Sequence, residues 1–166
     1  MLRMFLPIIV TWGGLFVVNG LAAQRALAVE EVAFIDLDSS RSQPNLHCVM
    51  ATEAEFVIQN EAEYQTLRRY IMGHHLCQDF TLPALDLARH TLLGKYTGGT
   101  GCTTEFLRTI TRDDGSQTVT YVIDVVQIGG CEPLAMSMNW ALVPKIPAEY
   151  RVEFTVREVL DLSGEQ

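Results

Sequence analysis

Apolar and polar positions alternate with a period of two along several stretches of this chain and with a helical period along one. Residues 134–142 set Leu134, Met136, Met138, Trp140 and Leu142 against Ala135, Ser137, Asn139 and Ala141. That is the pattern of a strand whose successive side chains point to opposite faces. Pro144 and Pro147 end it. Val152, Phe154 and Val156 repeat the alternation against Arg151, Glu153, Thr155 and Arg157, predicting a last strand. Residues 102–112 and 117–128 flank Asp113-Asp114-Gly115-Ser116, where Asp-Gly predicts a tight hairpin with positive φ angles. On its second arm Val119, Tyr121, Ile123 and Val125 share a face. Further strands are predicted over residues 32–37, 54–58 and 90–96, the last running into Thr97-Gly98-Gly99-Thr100-Gly101.

One segment of the mature chain reads as a helix. Asn60 stands three residues before Glu63, the spacing that satisfies free N–H groups at a helix start. Tyr64, Leu67 and Ile71 then fall on one face, and Gly73 is expected to end the helix in a left-handed conformation. The predicted architecture is α+β: a mainly antiparallel sheet of six or seven strands, joined by hairpins, with one helix covering a face. Residues 38–45 form a polar linker containing Ser39, Ser40, Ser42 and Pro44.

The opening differs in character from the rest of the chain. Arg3 supplies a short positive start, residues 5–18 are apolar apart from Thr11 and a glycine pair, and Ala26-Leu27-Ala28 has the form of a signal-peptidase site. Residues 1–28 are expected to be an export signal. The alternative is an uncleaved anchor, because the apolar stretch reaches Ala23 if Asn19 is tolerated. The remaining organisation is a strand and linker over residues 29–53 and an α+β domain over residues 54–166. With 166 residues and 48% hydrophobic composition, the chain is neither disordered nor collagen-like, and its length suits one domain. Its net charge is −8; loss of Arg3 and Arg25 with the leader leaves 10 basic and 20 acidic side chains, a charge of −10. Phosphate backbones are bound through Lys and Arg, so no nucleic-acid partner is expected. The acidic surface reads first as a solubility feature.

Four cysteines in an exported chain predict two disulfides. Of the three pairings, Cys48–Cys77 with Cys102–Cys131 is preferred, since closing the hairpin brings Cys102 to the end of the second arm, a short reach from Cys131. His47, Cys48, His74, His75 and Cys77 include zinc-binding residue types, but their spacing matches no standard finger and a disulfide explains the cysteines more simply. Cys102 after the glycines invites comparison with a thiol nucleophile served by His90, yet no neighbouring base or positive field is evident. Gly94-Lys95-Tyr96 lacks the spacing of a phosphate loop, and no Gly-x-Ser-x-Gly elbow occurs. Asp113-Asp114 reads as a turn former, and the Met136, Met138 and Trp140 stripe as a core face. Neither a cofactor nor a metal is predicted.

Phe56-Val57-Ile58, the helix over residues 60–71, Leu82-Pro83-Ala84-Leu85-Asp86-Leu87, the strand to Gly94-Lys95-Tyr96-Thr97-Gly98-Gly99, a hairpin and residues 140–147 together resemble the C-terminal domain of PrcB, a protease-complex-associated protein of bacterial cell envelopes. Leu87 stands in place of that family's aromatic residue, and Thr100-Gly101-Cys102 in place of a Tyr. The chain also has no lipoprotein cysteine and carries four additional ones. The resemblance spans roughly residues 54–156 and implies an extracytoplasmic, non-catalytic accessory or binding domain, partnered by a protease or another envelope protein. It carries over no catalytic residues. Thr97, Gly98, Gly99, Thr100 and Gly101 are the candidate contact surface, because glycines let another backbone approach closely. The rival expectations are a small envelope enzyme using His or Cys and a structural component of a cell-surface assembly.

Overall fold

The computed structural model describes residues 29–37, 55–73, 83–132 and 134–161. Its elements, in chain order, are β1 (Glu30–Glu31), β2 (Ile35–Asp36), β3 (Glu55–Ile58), α1 (Glu61–Met72), β4 (His90–Thr100), β5 (Thr103–Asp113), β6 (Thr118–Ile128), β7 (Leu134–Pro144) and β8 (Arg151–Asp161). The predicted mixture of strands with a helix is present, and among the described residues there is one helix and the strands number eight rather than six or seven. They form two four-stranded sheets in place of one, in the orders β1-β5-β6-β8 and β2-β7-β4-β3. Most pairs are antiparallel, whereas β6 and β8 run parallel. In place of the one strand expected over residues 32–37 there are two short ones, β1 just before that stretch and β2 within it: β1 pairs with β5 and β2 with β7, so the chain crosses between sheets here.

Two hydrophobic layers explain the stacking. On one face of the second sheet, Leu92, Tyr96, Met138, Trp140 and Leu142 pack with Tyr64, Leu67 and Ile71 of α1. On its other face, Leu93, Ala141 and Val143 pack with Ile110, Val119, Tyr121, Ile123 and Val125 of the first sheet. The order is therefore helix, sheet, sheet. The face of β7 that carries its smaller residues, ending in Ala141 and Val143, is the one against which the second layer closes. An ion pair between Arg108 of β5 and Asp36 of β2, at 2.5 Å, also bridges the sheets.

Two of the crossings between sheets, β4 to β5 and β6 to β7, are joined by one covalent bond. β4 turns into β5 at Gly101 and Cys102, β6 leaves its sheet at Gly129, and Cys102 is disulfide-bonded to Cys131 with the Cα atoms 4.6 Å apart. Gly101 and Gly129 have φ of 140° and 76°, values that side chains resist. Cys102 N also donates to Ile128 O at 2.8 Å. The expected Cys102–Cys131 bridge is present. The expected Cys48–Cys77 bridge, the alternative zinc group, the linker over residues 38–45 and the leader lie outside the described residues.

Local structure differs from expectation at two ends. Asn60 caps α1 as predicted, its side chain accepting from Glu63 N at 3.0 Å. Gly73 ends the helix in the right-handed region, with φ −73° instead of a left-handed value, and its N–H returns to Arg69 O at 3.0 Å. In the β5–β6 connection the positive φ belongs to Gln117, at 51°, and not to Gly115. The four residues between the strands explain this, because Asp113 Oδ1 draws in the N–H of Gly115 at 2.8 Å and leaves Gln117 to complete the reversal.

Candidate functional site

The β3–α1 corner is fixed by two side chains acting on one linker residue. Glu63 accepts from Gln59 N at 2.6 Å, and the Lys145 ammonium donates to Gln59 O as well as to Leu87 O. This clamp holds the start of α1 over the sheet while β3 hydrogen-bonds to β4 along Glu55–Ile58. Between strand and helix lies an open groove of about 480 Å³, lined by Phe56 and Ile58 of β3 and by Ala62, Glu63, Thr66, Leu67 and Tyr70 of α1. Among the described residues, Glu63 is the only charged one in this lining.

The groove follows from the helix pattern. Tyr64, Leu67 and Ile71 point into the core, so the flank carrying Ala62, Thr66 and Tyr70, spaced by four residues, faces along the sheet edge. Small side chains at two of these positions leave room, and Tyr70 remains 54% exposed. The floor is firm: Phe56 packs against Trp140 with ring centroids 5.4 Å apart, and Trp140 is fully buried. Among the described residues, β3 is the last strand of its sheet, so its outer side has no strand partner.

On the opposite flank of α1, Tyr64 donates its hydroxyl to Pro83 O at 2.5 Å. Burial, reinforced by nearby Glu61, pushes its pKa up to about 12. The hydroxyl therefore remains a neutral hydrogen-bond donor that pins the segment after the helix. At the far end of the sandwich, Tyr150 donates to Asp114 at 2.7 Å and Arg112 donates to both. The bonds from Tyr150 and Arg112 hold the Asp114 carboxyl below its ordinary range. This closed group anchors the β5–β6 turn to the segment entering β8.

The sequence-predicted contact residues occupy the end of β4 and the turn after it. Strand β4 runs to Thr100, four residues past the expected end at Tyr96. Thr97 is buried and accepts from Asn139 Nδ2 at 2.7 Å. Gly98 faces Met136 and Gly99 faces Val125, and an added Cβ would meet those side chains at 2.4 and 2.5 Å. These two glycines serve inter-strand and inter-sheet packing. Thr100 donates to Gln127 at 3.0 Å, and Gly101 makes the turn. Among the described residues, β3 pairs with β4 across Leu92–Lys95, and within that set these residues continue the same sheet edge beyond β3.

Other candidates are not brought together. His90 sits at the first residue of β4, with Nδ1 3.1 Å from Asp86 O, while Cys102 lies past the last. Eleven residues of strand separate them by roughly 35 Å, and the sulfur of Cys102 is bonded to Cys131. No group of three or more potential metal-ligating side chains occurs among the described residues. Nor, among those residues, is any helix long and apolar enough to cross a membrane. No family model, curated protein or solved structure matches this chain.

Proposed function

We propose that this chain is an extracytoplasmic, non-catalytic binding module that takes an extended segment of a partner protein into the groove between α1 and β3. The observation carrying this reading is the groove itself, an apolar trough of about 480 Å³ with a sheet edge for one wall and a helix flank for the other. An edge strand offers main-chain N–H and C=O groups to an added strand, and apolar side pockets select its alternate side chains. An extended polypeptide satisfies both demands at once. Among the described residues, the backbone of Thr97–Thr100 continues this edge along β4 toward the turn at Gly101.

Charge adds direction to the choice. With a net charge of −8 and Glu63 in the groove lining, a segment carrying Lys or Arg beside its apolar anchor is favoured over an acidic one. The Cys102–Cys131 bond and the leader-like opening support placement outside the cytoplasm. The resemblance to the PrcB C-terminal domain supports a protease or another envelope protein as partner.

Capture from an envelope fraction tests the proposal, using the wild-type protein beside a Thr66→Arg variant that fills the groove. The expected result is one stoichiometric partner on the wild type and its loss on the variant. Recovery of a protease supports the accessory role, and recovery of structural envelope proteins alone supports the assembly role instead. Equal recovery on both baits contradicts binding in the groove.

A further inference from the structure

Strand β8 is the last strand of its sheet among the described residues and runs for 11 residues, from Arg151 to Asp161. Its second half is poorly covered: Val156, Val159 and Leu160 are 40%, 42% and 70% exposed. A long edge of this kind is a template for pairing with another strand. It contains neither proline nor lysine, two of the residues that commonly block such pairing. Its sequence has an internal symmetry, with Glu153 and Arg157 placed equally about Thr155, and Phe154 and Val156 adjacent to it.

We propose that β8 pairs antiparallel with β8 of a second copy of this chain, with Thr155 on the two-fold axis. An axis perpendicular to the sheet keeps each face of one copy continuous with the same face of the other. Because successive side chains alternate between faces, such an axis must pass through a residue, and the candidates near the middle of the strand are few. An axis at Phe154 sets Arg151 against Arg157, and one at Arg157 sets Glu153 against Asp161 and Arg157 against itself. Like charges directly opposite are destabilising. An axis at Val156 pairs Arg151 with Asp161 but lays Phe154 against Glu158.

The axis at Thr155 suits both faces at the centre of the pairing. On the outer face Glu153, which within its own strand already lies 2.6 Å from the Arg151 guanidinium, meets Arg157 twice, and on the inner face Phe154 meets Val156 twice. Further out Val152 falls opposite Glu158, a mismatch three residues from the axis and on a smaller apolar side chain, whereas the Val156 axis puts it two residues away and on Phe154. Phe154 packs with the core between the sheets, so its pairing with Val156 extends an existing apolar layer. Arg157 is already oriented by both carboxylate oxygens of Asp124, at 2.5 and 2.7 Å, and keeps further N–H donors for Glu153 of the second copy. A parallel pairing in register sets every charge against its own kind. The β1-β5-β6-β8 sheets of the two copies thereby become one of eight strands, away from the α1–β3 groove.

The test uses the full-length product as cells process it. Light scattering over a concentration series is expected to give a dimer. Mild oxidation of a Thr155→Cys variant, followed by peptide mapping, is expected to yield a disulfide between the two substituted positions at least about tenfold more abundant than the corresponding link in Val156→Cys. Glu153→Arg is expected to weaken the dimer by about tenfold or more, since two attractive cross-strand pairs become repulsive. Circular dichroism and an intact Cys102–Cys131 bond establish that each variant is folded. A wild-type monomer at every concentration, preferential cross-linking through Val156→Cys, or a folded Glu153→Arg variant that dimerises normally overturns the proposal.

Discussion

Replacing Gly94 by alanine tests the packing on which the groove rests. Gly94 lies in β4 directly across from Trp140 of β7, and a Cβ there would come within 2.2 Å of Trp140 Cζ3, 2.4 Å of Cε3 and 2.8 Å of Met138 Cε. Ordinary carbon contacts are about 3.5 to 4.0 Å, so the indole must retreat by more than about 1 Å. It has little freedom, being 1% exposed and set against Phe56. Overpacking of a closed core costs roughly 1 to 3 kcal/mol, and this contact belongs at the upper end. Removing glycine's backbone freedom returns roughly 0.5 to 1 kcal/mol, leaving a net loss of about 2 kcal/mol. Trp140 is the only tryptophan beyond the leader-like opening, so its fluorescence in a urea titration of the processed protein reports the unfolding directly. The midpoint is expected to fall without a change in slope. A double-mutant cycle with Trp140→Phe, which removes the outer ring and is followed for all four proteins by far-ultraviolet circular dichroism, should recover at least about 1 kcal/mol. A Gly94→Ala variant within about 0.5 kcal/mol of wild type, or strictly additive behaviour in the cycle, refutes the reasoning.

Three further outcomes are expected. Opening the Cys102–Cys131 bond, whose ends are 29 residues apart, by paired serine substitutions should lower stability by about 3 to 4 kcal/mol in a denaturant titration. Gln117→Gly should raise stability by about 1 kcal/mol in the same assay, because Gln117 holds φ at 51°. The hydrogen bonds from Arg157 hold the Asp124 carboxyl below its ordinary range. A depressed folded pKa contributes stability that is present above the unfolded value and lost as pH falls through the folded one. Acid titrations should therefore show stability falling below about pH 4, with a smaller fall in Asp124→Asn.

How much of this was legible in the residues depended on which forces were local. The α1 cap and core face were readable because Asn60, Glu63, Tyr64, Leu67 and Ile71 interact within one helix. The β5–β6 hairpin and the Cys102–Cys131 bond were readable because the turn brings the cysteines near one another. The second sheet layer was not, because Ala135, Ser137, Asn139 and Ala141 look solvent-facing until another sheet is placed over them. The parallel pairing of β8 with β6 skips β7 and leaves no periodic mark. Gly98 and Gly99 suggest contact residues by their backbone freedom, whereas their missing side chains admit Met136 and Val125. The groove leaves a faint mark in the sequence because it lies on the less apolar flank of α1. Small Ala62 and Thr66 beside an unburied Tyr70 are the clue to it.

The most direct measurement of groove binding is an amide chemical-shift titration of the processed protein with a peptide selected from a random display library on that protein. Shifts are expected to concentrate at Phe56, Val57 and Ile58 of β3 and along Ala62, Thr66 and Tyr70 of α1, with the outer amides of β3 newly protected from exchange. Saturable binding whose shifts fall elsewhere, with β3 and this flank of α1 unmoved, contradicts binding in the groove.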